Sequence, residues 1–359
     1  MPKKIARGNP VTKKILAWYN RNERDLPWRR TSDPYRIWVS EIMLQQTQVN
    51  TVIPFYRQFL KRFPTARSLA TAPLGKVLKA WENMGYYARA RNLHTASKQI
   101  VKDFKGKIPD SWDELIQLPG IGQYTAGAIL SIAFGKKVPV VDGNVRRLMA
   151  RLYAVREPLS NASAQRRIRN LAEALLPEKD VGRFNQGLME LGATICVPRN
   201  PACSECPLPA ACEAHKTQLQ NELPVMPKRR PIPHYQVTAG VVRNKKGRLL
   251  IVQRHEEGLL GGLWKWPGGR KLPGESLKTC LKRTILDEVD AEVDVGERIA
   301  KVGHAYTHFR ITLHAFECTI RKGKPKALKC EDWCWTNKKG LTQYAFSKAD
   351  REVMKVVIT

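Results

Sequence analysis

The apolar residues of this chain change their spacing once, and the change falls on a stretch dense in proline. From Val11 to about Ala214 they recur at intervals of three and four, as in Tyr35–Leu60, Leu74–Trp81 and Ala90–Phe104. That period lays one face of a helix against a core. Residues 223–233 then read Leu-Pro-Val-Met-Pro-Lys-Arg-Arg-Pro-Ile-Pro, a semi-rigid spacer. Past it the period is two. Residues 236–243 and 248–254 flank Asn-Lys-Lys-Gly and predict a β-hairpin, with further strands over Phe309–Ile320 and Trp333–Thr336 and a helix near Ser276–Glu288. A chain of 359 residues is long for one domain. The switch divides it into a mostly α domain over 1–218, a linker over 219–234 and an α+β domain over 235–359, with no internal repeat.

Local signals agree with the helical reading. Ser32-Asp33-Pro34 supplies caps and a first-turn proline, Ala72-Pro73 opens another helix, and Gly85 after Met84 is a stop.

Charge narrows the partner. Lys and Arg number 62 against 32 Asp and Glu, a net charge of +30. From Tyr235 onward there are 24 basic and 14 acidic residues, and before it 38 and 18, so both domains are basic and no single tail carries the excess. A globular protein with that field meets a polyanion, and nucleic acid is the commonest one. No apolar run reaches 18 residues, and Met1–Pro10 lacks the apolar centre of a signal peptide. The expectation is a soluble intracellular protein with no membrane role.

The eight cysteines are lopsided. None precedes Cys196; four then fall in 17 residues as Cys196-x6-Cys203-x2-Cys206-x5-Cys212, and Cys280, Cys318, Cys330 and Cys334 are scattered. Secreted disulfide frameworks are not arranged so, whereas a local metal site in a reducing compartment is. Thiolate is a soft ligand for zinc and for iron–sulfur clusters alike. Zinc is usually read from two short C-x2-C pairs, and here only one pair is close.

Two carboxylates stand in contrasting contexts. Glu41 lies in Ile37-Trp-Val-Ser-Glu-Ile-Met-Leu-Gln-Gln46, where apolar helix neighbours should raise its pKa and keep it protonated near neutral pH. Asp142, in Val140-Val-Asp-Gly-Asn144, precedes a helix over Asn144–Leu152. As an N-cap it should be held ionised by amides and the helix dipole. Carboxyls pushed apart in this way suit an acid and an electrostatic stabiliser in glycosidic cleavage. Twenty-two residues before Asp142, Leu118-Pro-Gly-Ile-Gly122 makes a turn whose Gly120 and Gly122 bare the backbone. Gln123 and its neighbours then begin a helix with free amides, an anion site suited to a DNA phosphate.

Together these segments resemble a known family. The hairpin followed by a Gly/Pro-rich loop and an Asp is similar to the helix-hairpin-helix superfamily of DNA glycosylases, and the 6-2-5 cysteine spacing to the cluster loop of its endonuclease III branch. Leu26-Pro-Trp-Arg29, Glu41-Ile-Met-Leu-Gln-Gln-Thr47, Gly85-Tyr-Tyr-Ala-Arg-Ala-Arg91, Val141-Asp-Gly-Asn144 and Phe184-Asn-Gln-Gly-Leu-Met-Glu-Leu-Gly192 look like the adenine DNA glycosylases of the MutY type. The resemblance implies a 4Fe-4S cluster on Cys196, Cys203, Cys206 and Cys212, in a loop over 196–212 that stiffens a basic DNA-contacting element. It makes Glu41 the acid that protonates a flipped adenine at N7, Asp142 the stabiliser of the oxocarbenium ion, and Asn144 its support. Leu26, Trp28, Arg29, Gln186 and Glu190 would line the base pocket. Gln46, Thr47, Tyr86, Gly120, Gly122 and Gln123 would meet DNA, with Gln46 and Tyr86 entering the helix stack. Relatives with lyase activity carry a nucleophilic lysine where this chain has Tyr124, so a hydrolase that leaves an abasic site is expected. The substrate would be duplex DNA with adenine opposite 8-oxoguanine or guanine, and the enzyme a monomer in a bacterial cytoplasm at the nucleoid.

In the second domain, Pro267-Gly268-Gly269 followed by Glu275 and Arg283-Thr-Ile-Leu-Asp-Glu-Val-Asp-Ala291 resembles a damaged Nudix box. Thr284 replaces one glutamate, Asp287 shortens the next, Asp290 replaces a glycine, and Glu288 stays. A Nudix-like fold turned to lesion recognition is implied, with Tyr306, Thr307 and His308 reading the altered guanine. Three rivals are an endonuclease III-like glycosylase/lyase for oxidised pyrimidines, a nucleotide pyrophosphatase fused to a DNA-binding domain, and a noncatalytic DNA-binding scaffold. Tyr124 opposes the first, the damaged box the second, and the presence of both carboxylates the third.

Overall fold

The computed structural model describes residues 9–226 and 231–358. They form two units, residues 9–70 with 95–226 and residues 71–94 with 231–358. Residues 227–230 of the expected linker lie outside the described residues. The 24 residues from Thr71 to His94, which the change of period assigns to the helical domain, cluster instead with the C-terminal unit.

The helices in chain order are α1 (Pro10–Asn22), α2 (Pro34–Leu44), α3 (Val49–Arg62), α4 (Ala66–Thr71), α5 (Leu74–Ala80), α6 (Ala88–Phe104) and α7 (Trp112–Ile116). They continue as α8 (Gln123–Ala128), α9 (Gly143–Leu152), α10 (Ala162–Ala174), α11 (Val181–Thr194) and α12 (Glu213–Lys216). The apolar stretch at Tyr35–Leu60 becomes two helices, α2 and α3, because Gln46 turns through φ 55° between them. Asp33 caps α2 as expected: its side chain accepts from the N–H groups of Tyr35 and Arg36, and Pro34 needs no acceptor at the first position.

In the first unit, one core gathers Ile15 and Tyr19 of α1, Val145, Leu148 and Met149 of α9, and Phe184, Leu188 and Leu191 of α11, all at most 4% exposed. At roughly 1.5–3 kcal/mol per large apolar side chain buried, these helices hold the start of α9 in place.

The second unit is a mixed sheet of β1 (His234–Arg243), β2 (Leu249–Gln253), β3 (Trp264–Lys265), β4 (Glu292–Ala305), β5 (Arg310–Lys322) and β6 (Asp332–Thr336), with α13 (Leu277–Val289) and α14 (Lys348–Ile358). Apolar cores cover both faces of the sheet. The expected hairpin is only partly realised. Asn244 makes the turn, but β1 and β2 pair solely at Arg243 and Leu249. β1 instead runs parallel to β5 over its full length, its other edge is taken by residues 267–271, and β2 pairs with β6.

Candidate active site

Helix α2 presents Glu41 to an apolar interior, since every residue from Ile37 to Met43 is buried. A carboxylate there loses its hydration, and burial pushes Glu41 up to about 7; Asp142 pushes the same way, while Tyr124 and Arg29 pull back. Tyr124 Oη lies 2.5 Å from Glu41 Oε2 and 3.5 Å from Met189 Sδ. Burial, with Glu41 and Asp142 nearby, holds the Tyr124 phenol well above its ordinary range, so it acts as a neutral hydrogen-bonding group.

Asp142 is the N-cap of α9: Oδ1 accepts from Val145 N at 2.7 Å and Oδ2 from Asn144 Nδ2 at 2.9 Å. The cap is as expected, and burial competes with it. Burial outweighs the bonds from Val145 and Asn144, and the Asp142 carboxyl is raised rather than lowered. Both carboxyls therefore move upward, Glu41 to about 7. Arg147 braces the capping pair by donating to Asn144 Oδ1 at 2.9 Å, to Gly192 O at 2.7 Å and to Cys196 O at 2.7 Å. Gly192 is required here, because a Cβ on it would stand 2.8 Å from Asn144 Cβ.

These groups open on one cleft of about 770 Å³, its open mouth included, which Leu26, Trp28, Arg29, Thr47 and Gln186 also line. Trp28 is buried with its ring edge-on to Tyr56 at 5.5 Å. Glu190 lies in the wall, 1% exposed, bridged to Arg24 at 2.6 Å and to Arg29 at 2.6 Å. Burial would raise it, but the two guanidinium groups prevail and carry it to about 2, so it is ionised. Arg24, Met189 and Arg147 were not singled out from the sequence. Arg24 stands just outside the Leu26–Arg29 motif, and no periodicity marks a residue that acts by gripping a carboxylate 166 positions away.

The remaining expected contacts lie elsewhere. Gly120 takes φ 77° in the turn before α8, and Gly122 and Gln123 are exposed. Gln46 is exposed on the α2–α3 turn. In the second unit, Tyr86 is 41% exposed at φ 49°, and its hydroxyl is 2.9 Å from Thr307 Oγ1. Tyr306, Thr307 and His308 form the tip joining β4 to β5 rather than the start of a strand. Tyr306 N bonds Phe309 O at 2.8 Å, and its ring packs on His304 and Phe309.

Both glutamates of the damaged Nudix box, Glu275 and Glu288, are paired. Glu288 Oε1 takes Lys265 Nζ at 2.8 Å and Oε2 takes Gly268 N at 3.1 Å, while Glu275 is paired with Arg283. Thr284 turns its hydroxyl back to Cys280 O. Asp290 sits at φ 55°, in the left-handed region that glycine occupies most easily.

Cys196, Cys203, Cys206 and Cys212 line one cavity with Leu148 and Leu208, and all are free thiols. The guanidinium of Arg151, 1% exposed, donates to Cys196 Sγ at 3.3 Å and to Val197 O at 2.7 Å; Leu208 N donates to Cys206 Sγ at 3.4 Å. Burial pushes the Cys206 thiol up to about 11 and raises Cys203 and Cys212. Among the described residues, no three His, Cys, Asp or Glu side chains are grouped to hold a metal ion. Four sulfurs around one cavity, two of them met by N–H donors, nevertheless fit a group bound by four thiolates. No helix among the described residues is long and apolar enough to cross a membrane.

The model of the HhH-GPD superfamily of base excision DNA repair proteins matches residues 39–178, and that of the NUDIX domain matches residues 238–356. The human adenine DNA glycosylase is 32% identical over 95% of this chain and 73% of its own length. The adenine DNA glycosylase of Buchnera aphidicola subsp. Acyrthosiphon pisum is 40% identical over 86% and 85%, and that of Mycobacterium tuberculosis 40% over 68% and 78%. Among solved structures, a thermostable thymine-DNA glycosylase matches with a TM-score of 0.53 at 31% identity, over 58% of this chain and 95% of that one. An endonuclease III trapped as a covalent intermediate on DNA matches with 0.50 at 22% identity over 58% and 95%, a likeness of fold.

Proposed function

The chain belongs to the adenine DNA glycosylase family, and from that premise we propose that it flips adenine out of duplex DNA where the opposite base is 8-oxoguanine or guanine. It then hydrolyses the N-glycosidic bond and leaves an abasic site with the strand intact. The observation that carries this reading is the buried Glu41 carboxyl, held at about 7 in a cleft it shares with Asp142.

A carboxyl with that pKa is part neutral acid at physiological pH and can donate its proton to adenine N7, turning the base into a better leaving group. Asp142, held at the start of α9 by bonds from Val145 and Asn144, stabilises the positive charge that develops on the sugar. Leu26, Trp28 and Gln186 enclose the base, and the ionised Glu190, fixed by Arg24 and Arg29, accepts from its exocyclic amine. Tyr124 offers no amine, so no Schiff base forms on it and the enzyme is monofunctional.

Gln46, Thr47, Tyr86, Gly120, Gly122 and Gln123 meet the DNA, and Tyr306, Thr307 and His308 examine the opposite base. Cys196, Cys203, Cys206 and Cys212 would hold a 4Fe-4S cluster, whose chemistry there is to cross-link the loop over 196–212. The enzyme works as a monomer at the bacterial nucleoid. Lys265 occupying Glu288 argues against a pyrophosphohydrolase in the second unit.

Single-turnover assays on adenine opposite 8-oxoguanine, adenine opposite guanine, and thymine glycol opposite adenine test this, with products read before and after alkali. Adenine loss with a break only after alkali is expected. Cleavage at thymine glycol without alkali would assign the chain to the lyase branch.

A further inference from the structure

Met189 has no part in the chemistry proposed above, yet its sulfur stands in the cleft. Among the described methionines, Met43, Met84, Met149 and Met354 are at most 9% exposed, and Met226 is 69% exposed on the surface. Met189 is half-buried and lines the catalytic cavity, so a small oxidant reaches it without unfolding. Its Sδ lies 3.5 Å from Tyr124 Oη, which is 2.5 Å from Glu41 Oε2. A phenol has one proton, and a thioether is a weak acceptor beside a carboxyl oxygen, so the proton is shared with Glu41.

The geometry points to Met189 as an oxidation site that switches excision off: a peroxide converts its thioether to the sulfoxide, and the new oxygen draws the Tyr124 proton away from Glu41. The step balances. One peroxide oxygen is transferred to a sulfur lone pair, the O–O bond breaks, sulfur is oxidised, and the peroxide leaves as water (or as an alcohol from an alkyl hydroperoxide). The sulfoxide oxygen is a strong acceptor, and the flexible methionine side chain can carry it to Tyr124. Glu41 then loses the partner that fixes its orientation, and a polar atom enters the space beside it. Reduction of the sulfoxide reverses both effects. The switch rests on the assignment of Glu41 and Tyr124 made above.

The test uses the full chain treated with hydrogen peroxide. Single-turnover excision of adenine opposite 8-oxoguanine is followed together with peptide mass mapping, then again after methionine sulfoxide reductases and dithiothreitol. Met189 sulfoxide should form ahead of the four buried methionines. The rate should fall at least tenfold in proportion to it, and both should revert. For Met189→Leu, the ratio of treated to untreated rate should stay near one whatever its starting rate, while Met226→Leu should respond like the parent. An equal loss in Met189→Leu, or full oxidation of Met189 with an unchanged rate, overturns the proposal. A protein that releases no adenine before treatment overturns the proposed function, and the switch with it, in an arm that peroxide never touches.

Discussion

Replacing Glu41 by Gln should make the protein inactive and, at alkaline pH, more stable. The Glu41 carboxyl is raised from 4.5 to about 7. At about 1.36 kcal/mol per pKa unit, its ionisation costs the folded state about 3 kcal/mol. Below pH 4.5 the group is protonated in both folded and unfolded chains, and no penalty exists. As pH rises from 4.5 the unfolded chain releases its proton first, stability falls, and the loss is complete once pH passes about 7. Gln has no proton to release. The stability of Glu41→Gln relative to the parent should therefore improve by about 2.5 kcal/mol between pH 5 and pH 8. For a unit of this size that is roughly 5–10 °C in melting temperature. Any cost of accommodating the new amide shifts the comparison equally at every pH. Thermal or urea unfolding of both proteins at pH 5, 6, 7 and 8 reads the effect. In the same series the parent's excision rate should drop about tenfold per pH unit above 7, while the variant binds duplex and excises nothing. A stability difference independent of pH would refute the burial argument, and turnover by the variant would remove Glu41 from the mechanism.

Two other substitutions probe the supports. Gly192→Ala places a Cβ 2.8 Å from Asn144 Cβ and 2.9 Å from its carbonyl oxygen. A cost of about 1–3 kcal/mol is expected from overpacking, with at least a tenfold loss of excision, read by thermal melts and single-turnover rates. An unchanged melt and rate would mean that the α9 start tolerates displacement. Lys265→Met strands the buried Glu288 without its cation, at about 3–5 kcal/mol, and adding Glu288→Gln should recover most of that in urea unfolding. Equal destabilisation of the single and double variants would show that the pair is not coupled.

What could be read from the sequence was local or periodic. The cap at Asp33, the cap at Asp142, the change of period and the one-cavity grouping of four cysteines all come from residues close in the chain. The buried acid was legible because its neighbours on α2, Ser40 apart, are apolar from Ile37 to Leu44. The sign at Asp142 was not, since the amides of a cap are visible in sequence while the burial that outweighs them comes from packing. β4 also escaped. It carries Glu292, Asp294, Glu297, Arg298 and Lys301, and its pairing with β5 shifts register three times, so alternation never holds long enough to be seen. α14 has buried residues at helical spacing, Ala349, Val353, Met354 and Val357, but only eleven residues in which to show them. The grip of Arg24 and Arg29 on Glu190 spans more than 160 residues, and no local pattern announces it.

Because Thr71–His94 belongs to the C-terminal unit, that unit is assembled from two pieces of chain made far apart in time. On a ribosome, His94 is made about 265 residues before Thr359. At ~5–20 residues per second the early piece waits roughly 13–50 s for its partners. During that interval Leu74 and Leu78 have no Gly262 to pack against, and Glu82 has neither Arg351 nor the Phe346 amide. The early piece thus leaves Leu74, Leu78 and Glu82 uncovered until Gly262, Phe346 and Arg351 have been made. A chain cut at the proline-rich stretch would leave them uncovered for good. The two units therefore cannot be parted by a single cut in that stretch, and loss of the C-terminal portion would damage Thr71–His94 as well.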